Sequence, residues 1–249
     1  AKISKDLGVY EDVPELLSVS LGSNETTLLK ITNAYCSFVN GGKKINPNLI
    51  TRIQDRRGKT IYNFDKRKCE GCEIVKLDED FVPKIKDQNQ QIISEETAYQ
   101  ITSILEGVVK RGTGKKLKDL NLQLAGKTGT TNKNTDAWFI GFTSNLVIGV
   151  YVGFDNPKTL GKFETGSKTA LPIFKEFVKN SVSNHEARPF KVSKGIKMMV
   201  VDSSTGKKAD SNSKSTIIES FKEEKIANNN KIDIDNISDL SKTNILKFY

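Results

Sequence analysis

The residues best suited to chemistry lie in "AGKTGTTNKNTDAWFIGFT", Ala125–Thr143, where Lys127-Thr128-Gly129 is followed by Thr130 and Thr131. A lysine brings positive charge, threonine hydroxyls donate and accept hydrogen bonds, and a glycine lets another backbone approach closely. A phosphate-binding loop needs a glycine, four intervening residues, then Gly-Lys-Thr. Position 121 is asparagine, and Leu122, Gln123 and Leu124 alternate as a strand does, so that reading fails. A serine triad also fails, because the single histidine, His185, lies in a polar stretch and no serine elbow accompanies it. His185 reads as an exposed loop residue. No His-Glu-x-x-His or comparable metal cluster is written in the sequence, and no carboxylate pair stands out. Cys69 and Cys72 form a Cys-x-x-Cys in "RKCEGCEI". Such a pair is half a zinc site, a redox couple or a short disulfide. In an oxidising compartment the disulfide is the expected state, ahead of free thiols and metal. Cys36 sits in a helical pattern and reads as buried packing.

The elements that position these residues follow from periodicity. Glu25–Asn40 reads as an amphipathic helix carrying Leu28, Leu29, Ile31, Tyr35, Phe38 and Val39, stopped by Gly41-Gly42. Asn48–Phe64 reads as a hairpin about "DRRGK". Asp65–Gln91 is polar and predicted irregular. Ser94 has the character of an N-cap, with Glu95 and Glu96 in the first turn of a helix running through Tyr99, Ile101, Ile104, Leu105 and Val108. Arg111-Gly112-Thr113-Gly114 breaks it. Three strands follow, Leu122–Thr131, Ala137–Thr143 and Leu146–Phe154, the last two an antiparallel hairpin across Ser144-Asn145. Thr169–Val182 reads as a helix with Leu171, Ile173, Phe174, Phe177 and Val178 inward and Pro172 in its first turn. Beyond about Ser183 the sequence turns polar. Lys197–Val201 is one more strand candidate in an otherwise loosely attached or disordered tail.

The chain has 249 residues, is 36% hydrophobic and 28% charged, and carries a net charge of +9. Its longest apolar run, Leu146–Phe154, is too short to span a bilayer. The chain begins at Ala1, which reads as a processed product or a fragment. The lysines are scattered among acidic residues, with no basic helix interleaved with aromatics, so the charge reads as a solvated surface and no nucleic-acid partner is expected.

Lys-Thr-Gly alone is a weak signal, but its neighbours are specific. "SVSLGSNETTLLKITNAYCSFVNGG", "ILEGVVKRGTG", "LAGKTGTTNKNTDAWFIGFTSNLVIGVYVGFDNP" and "ETGSKTALPIF" together resemble the transpeptidase domain of bifunctional class A penicillin-binding proteins of the 1A type. The likeness runs from Leu7 to Val182, with a fainter echo at "MMVVDSSTGKKA". It implies an α+β fold, an antiparallel β-sheet sandwiched between helices, with a loosely structured polar C-terminal tail. Residues 1–182 would be the C-terminal portion of that domain and 183–249 a polar extension. Lys127 and Thr130 would be catalytic. The Thr130 N–H would supply half of an oxyanion hole, and the Thr128 and Thr130 hydroxyls would grip the terminal carboxylate of a peptidoglycan stem peptide. Lys127 would add positive charge there, and Gly129 would clear the backbone approach. β-Lactams would occupy the same site, and no cofactor or metal is implied.

Two family elements, Ser-x-x-Lys and Ser-x-Asn, are missing before "SVSLGSNETT". The only Ser-x-x-Lys matches, Ser204–Lys207 and Ser211–Lys214, fall in the polar tail and read as chance. The resemblance therefore implies that this chain lacks its nucleophile and is inactive alone. An upstream glycosyltransferase domain would anchor the parent in a bacterial cytoplasmic membrane, facing the periplasm. That setting favours the disulfide, and the basic charge suits anionic lipid and wall polymer. A related D-Ala-D-Ala carboxypeptidase or β-lactamase, and a non-catalytic cell-wall-binding module, are the alternatives.

Overall fold

A computed structural model describes residues 1–72, 83–182 and 188–223. Helix α1 (Lys2–Asp6) and a 3₁₀ turn over Leu17–Leu21 lead into α2 (Leu28–Val39). This helix begins later than the sequence pattern predicts, because the Thr27 side chain accepts the Lys30 N–H and caps it. Leu29, expected on the inner face, is 60% exposed. Cys36 is half-buried, and burial pushes its thiol pKa up.

Strands β1 (Arg52–Gln54) and β2 (Thr60–Asn63) form the expected hairpin, its turn tied by the Asp55 carboxylate to the N–H groups of Arg57 and Lys59. The segment predicted irregular contains a short antiparallel pair, β3 (Cys69–Glu70) with β4 (Lys84–Ile85). Ser94 caps α3 (Glu95–Arg111) by accepting the Thr97 N–H, as its sequence predicts. Within α3, Ala98, Thr102, Leu105 and Val109 are buried, whereas Ile104 is 60% exposed.

The central sheet is antiparallel, in the order β5 (Ala125–Thr130), β6 (Asp136–Phe142), β7 (Val147–Gly153). Thr143 N–H donates to the Leu146 carbonyl at 2.9 Å and closes the β6–β7 turn. A wide π turn over Gly166–Ala170 then opens α4 (Leu171–Ser181), displacing the expected helix start. Ile173 and Phe177, expected to face inward, are 51% and 49% exposed. Helical geometry explains this: at about 100° per residue, Leu171, Phe174 and Val178 share a narrow stripe while position 173 lies on the far side and 177 on the flank.

That stripe packs on one sheet face. Phe174 meets Phe139 edge-to-face, with ring centroids 4.8 Å apart, among Leu124, Ala137 and Leu171. The opposite face is covered at one end by α2 and α3, where Tyr35 and Leu105 pack around Ala125 and Phe142. The fold is thus an α+β helix–sheet–helix sandwich.

The polar tail is more ordered than its composition suggests. β8 (Ile196–Asp202) and β9 (Thr216–Lys222) pair over seven registers, so the expectation of a loose appendage fails for this part. The apolar residues of "IKMMVVD" and "TIIESF" supply strand propensity, and the polar residues between them are turn formers. The hairpin is pinned to α3: Gln100 Nε2 donates to the Ser220 carbonyl at 3.0 Å, and Arg111 pairs with Glu219. His185 and residues 224–249 lie outside the described residues.

Candidate active site

Hydrogen bonding at the end of β5 sets the direction of its backbone groups. Thr131 N–H donates to the Asp136 carbonyl at 3.2 Å. Antiparallel ladders alternate, so Gly129 and Lys127 face Trp138 and Ile140 as bonded pairs. Thr130, Thr128 and Gly126 then direct their N–H and C=O groups away from β6. Among the described residues no strand pairs with this outer edge. Lys127 agrees with the assignment: its Nζ donates to the Thr128 carbonyl at 2.9 Å, beyond the strand's free edge.

Lys127, Thr128 and Gly129 wall one side of an open groove of about 660 Å3. Trp138 and Ile140 of β6 and Tyr151 of β7 form its floor, and Tyr10, Asn24 and Leu28 its far side. The structure brings together the first three residues of the predicted site. Thr130 is not among the lining residues; its side chain turns to the other face, where Oγ1 accepts the Gly166 N–H at 3.0 Å. Thr128 Oγ1 lies 3.1 Å from Thr113 Oγ1.

At the groove's end, Asp136 gathers three hydroxyls. Tyr151 donates to Oδ1 at 2.8 Å, and Thr131 and Thr135 donate to Oδ2 at 3.0 Å each. Burial pushes the Asp136 carboxyl pKa up, but these hydrogen bonds together outweigh it and hold the group below its ordinary value. The same bond to Asp136, then burial, raises the Tyr151 phenol. Gly153 makes room: a Cβ there would stand 2.1 Å from the Tyr151 hydroxyl. Trp138 packs against Tyr151 with centroids 4.6 Å apart. None of this network was identified from sequence. Its one local signal is the pair of threonines, Thr131 and Thr135, flanking a short turn before Asp136.

The other candidates lie elsewhere. Cys69 and Cys72 are joined in a disulfide with Cα atoms 5.6 Å apart, in the β3 hairpin and outside the groove lining. Ser204 is in the turn after β8 and bonds Asp202, while Ser211 lies in the following turn; neither Ser-x-x-Lys match is on a helix.

The edge strand bearing Lys-Thr-Gly and the sheet held between helices lie in a chain that belongs to the penicillin-binding transpeptidase family. Residues 13–179 match the family described as the penicillin binding protein transpeptidase domain. The chain is 45% identical over 222 residues to penicillin-binding protein 1A of Rickettsia prowazekii, covering 88% of this chain and 28% of that protein. With penicillin-binding protein 1A of Pseudomonas aeruginosa it shares 34% identity, covering 86% of this chain and 30% of the relative. The structure of penicillin-binding protein 1A from Haemophilus influenzae superposes with a TM-score of 0.71 at 27% identity, over 88% of this chain and 35% of that one. The chain therefore spans less than a third of the length of these curated relatives.

Proposed function

We propose that residues 1–182 are the C-terminal portion of the transpeptidase domain of a bifunctional peptidoglycan synthase, with 183–249 as its C-terminal extension. The observation that carries this reading is the free edge of β5, on which the Thr130 N–H points away from the sheet beside the groove. An extended stem peptide adds to such an edge by main-chain hydrogen bonds.

In this reading a serine outside this chain attacks the carbonyl of the penultimate D-alanine. The Thr130 N–H and the serine's own N–H receive the developing oxyanion, and one such donor is worth roughly 3 kcal/mol. The C–N bond breaks, and the terminal D-alanine leaves with a proton on its nitrogen. An amine from a neighbouring stem then attacks the acyl-enzyme, forming the cross-link and returning the serine. Thr128 and Thr130 bind the terminal carboxylate, and Lys127 adds positive charge beside it. Gly129 leaves the backbone accessible. β-Lactams are attacked in place of the stem peptide and stay attached. The parent protein would carry a glycosyltransferase domain and a membrane anchor on the periplasmic side. No helix among the described residues is long and apolar enough to cross a membrane.

The test is covalent labelling with a fluorescent penicillin, on this chain and on the longer protein that contains it. The longer protein should label and this chain should not, because unassisted hydroxyls are weak nucleophiles near neutral pH. An unlabelled longer protein would overturn the reading. So would stoichiometric label on this chain at Ser204 or Ser211.

A further inference from the structure

Each threonine of the strand is hydrogen-bonded through its hydroxyl to a residue outside the strand. Thr113 lies in the loop that ends α3 and reaches Thr128 Oγ1 across fifteen positions of sequence, at 3.1 Å. Gly166 lies in the π turn before α4 and donates its N–H to Thr130 Oγ1 across thirty-six positions, at 3.0 Å. A hydroxyl has one proton to give and two lone pairs to receive with. Accepting the Gly166 N–H leaves the Thr130 proton free to point elsewhere. If Thr113 donates to Thr128, the Thr128 proton is free in the same way, and a donor chain of this kind strengthens the outer bond.

We infer that Thr113, with Gly166, is a positioning residue that presets the strand threonines as outward donors to the anionic end of the ligand. This rests on the transpeptidase reading and adds to it a specificity device: a preference for a free carboxylate over a neutral end. The two supports differ in tolerance. A Cβ on Gly166 would stand 2.4 Å from the Trp138 carbonyl oxygen and 2.6 Å from that of Gly129, both backbone atoms. No side chain fits there without moving the turn off the strand. Thr113 is exposed, so Thr113→Val replaces its hydroxyl with a methyl at little cost to the fold.

The experiment measures second-order acylation of the longer protein by a penicillin and by the methyl ester of the same penicillin. With Thr113→Val, the carboxylate ligand should react about threefold to tenfold more slowly, the scale of one lost hydrogen bond between neutral groups. The ester should change by less than about twofold, and Thr113→Ser should restore the wild-type rate with the carboxylate ligand. Equal slowing with both ligands would show a merely structural role and overturn the inference, as would no slowing with either or failure of serine to rescue. A wild-type protein that forms no acyl-enzyme would instead sink the underlying transpeptidase reading, and the inference with it.

Discussion

Replacing Asp136 by asparagine tests the network that fastens the end of the candidate strand. The carboxylate accepts Tyr151 at 2.8 Å and two threonine hydroxyls at 3.0 Å each. Asparagine keeps the shape and one acceptor oxygen, so the tyrosine bond survives. The other oxygen becomes an NH2 group that cannot accept, and both threonines must turn to receive instead of donate. Hydrogen bonds to a charged group contribute about 1.5–3 kcal/mol in protected sites. Asp136 is only half-buried, so solvent takes a share of that. The expected loss for Asp136→Asn is therefore about 1–2 kcal/mol at pH 7, a fall of roughly 2–8 °C in melting temperature for a chain of this size. The pH dependence has a definite sign. The folded-state pKa of Asp136 is lowered, so its stabilisation is complete above the unfolded value near 3.9 and is lost as pH falls through the folded value. Urea unfolding of the wild type and the variant at pH 7 and pH 3 should show a gap at pH 7 that narrows in acid. A gap of the same size at both values, or one that widens in acid, would refute the charge-based account. Tyr151→Phe supplies the cross-check, because in the double variant the two losses should add to less than their sum.

Three further outcomes follow from the geometry. Thr130→Pro in the longer protein removes the N–H on the free edge without breaking a β5–β6 bond; β-lactam acylation should fall at least about a hundredfold, while Thr130→Ala, which keeps the N–H, should be milder. Unchanged acylation in a folded proline variant would remove Thr130 from the site. Phe174→Ala deletes a fully buried ring against Phe139 and should cost about 3–5 kcal/mol in urea unfolding; a loss under 1 kcal/mol would mean that α4 is not seated on the sheet. Replacing Cys69 and Cys72 by serine should cost no more than about 2 kcal/mol, because the loop they close is very short, and a larger loss would mean that the hairpin does more than close itself.

How much of this was legible in the sequence depended on how local each cause is. Ser94 caps α3 through a bond to a residue three positions away, so its signal is complete in four letters. The hairpin of the last two strands is written in two short apolar runs parted by Ser144-Asn145, and the sheet formed within a few residues of the predicted bounds. The helix faces were less legible. Ile104, Ile173 and Phe177 are apolar yet exposed, because hydrophobicity marks what can be buried and the packing partner decides what is. The tail misled for the opposite reason. Its average composition is polar, but the seven residues of β8 and the seven of β9 pair, β9 is tied to α3, and an average over the segment conceals them.

The site divides along the same line. Lys127, Thr128 and Gly129 are consecutive and sit on one groove wall, so three letters and their flanks identified them. What bonds the hydroxyls on and beside this strand is not consecutive. Thr113, Asp136 and Gly166 come from the end of one helix, the start of another strand and the turn before a second helix, and they meet the candidate strand only once the sheet has closed. A motif names the groups that would touch a ligand, because those must be held on one backbone. The residues that decide which way each proton points have no such constraint and arrive from wherever the fold returns. The Thr128 and Thr130 hydroxyls are thus ambiguous as letters, able to donate or accept. Among the described residues the Thr130 hydroxyl accepts from the Gly166 N–H, which leaves its proton for another partner.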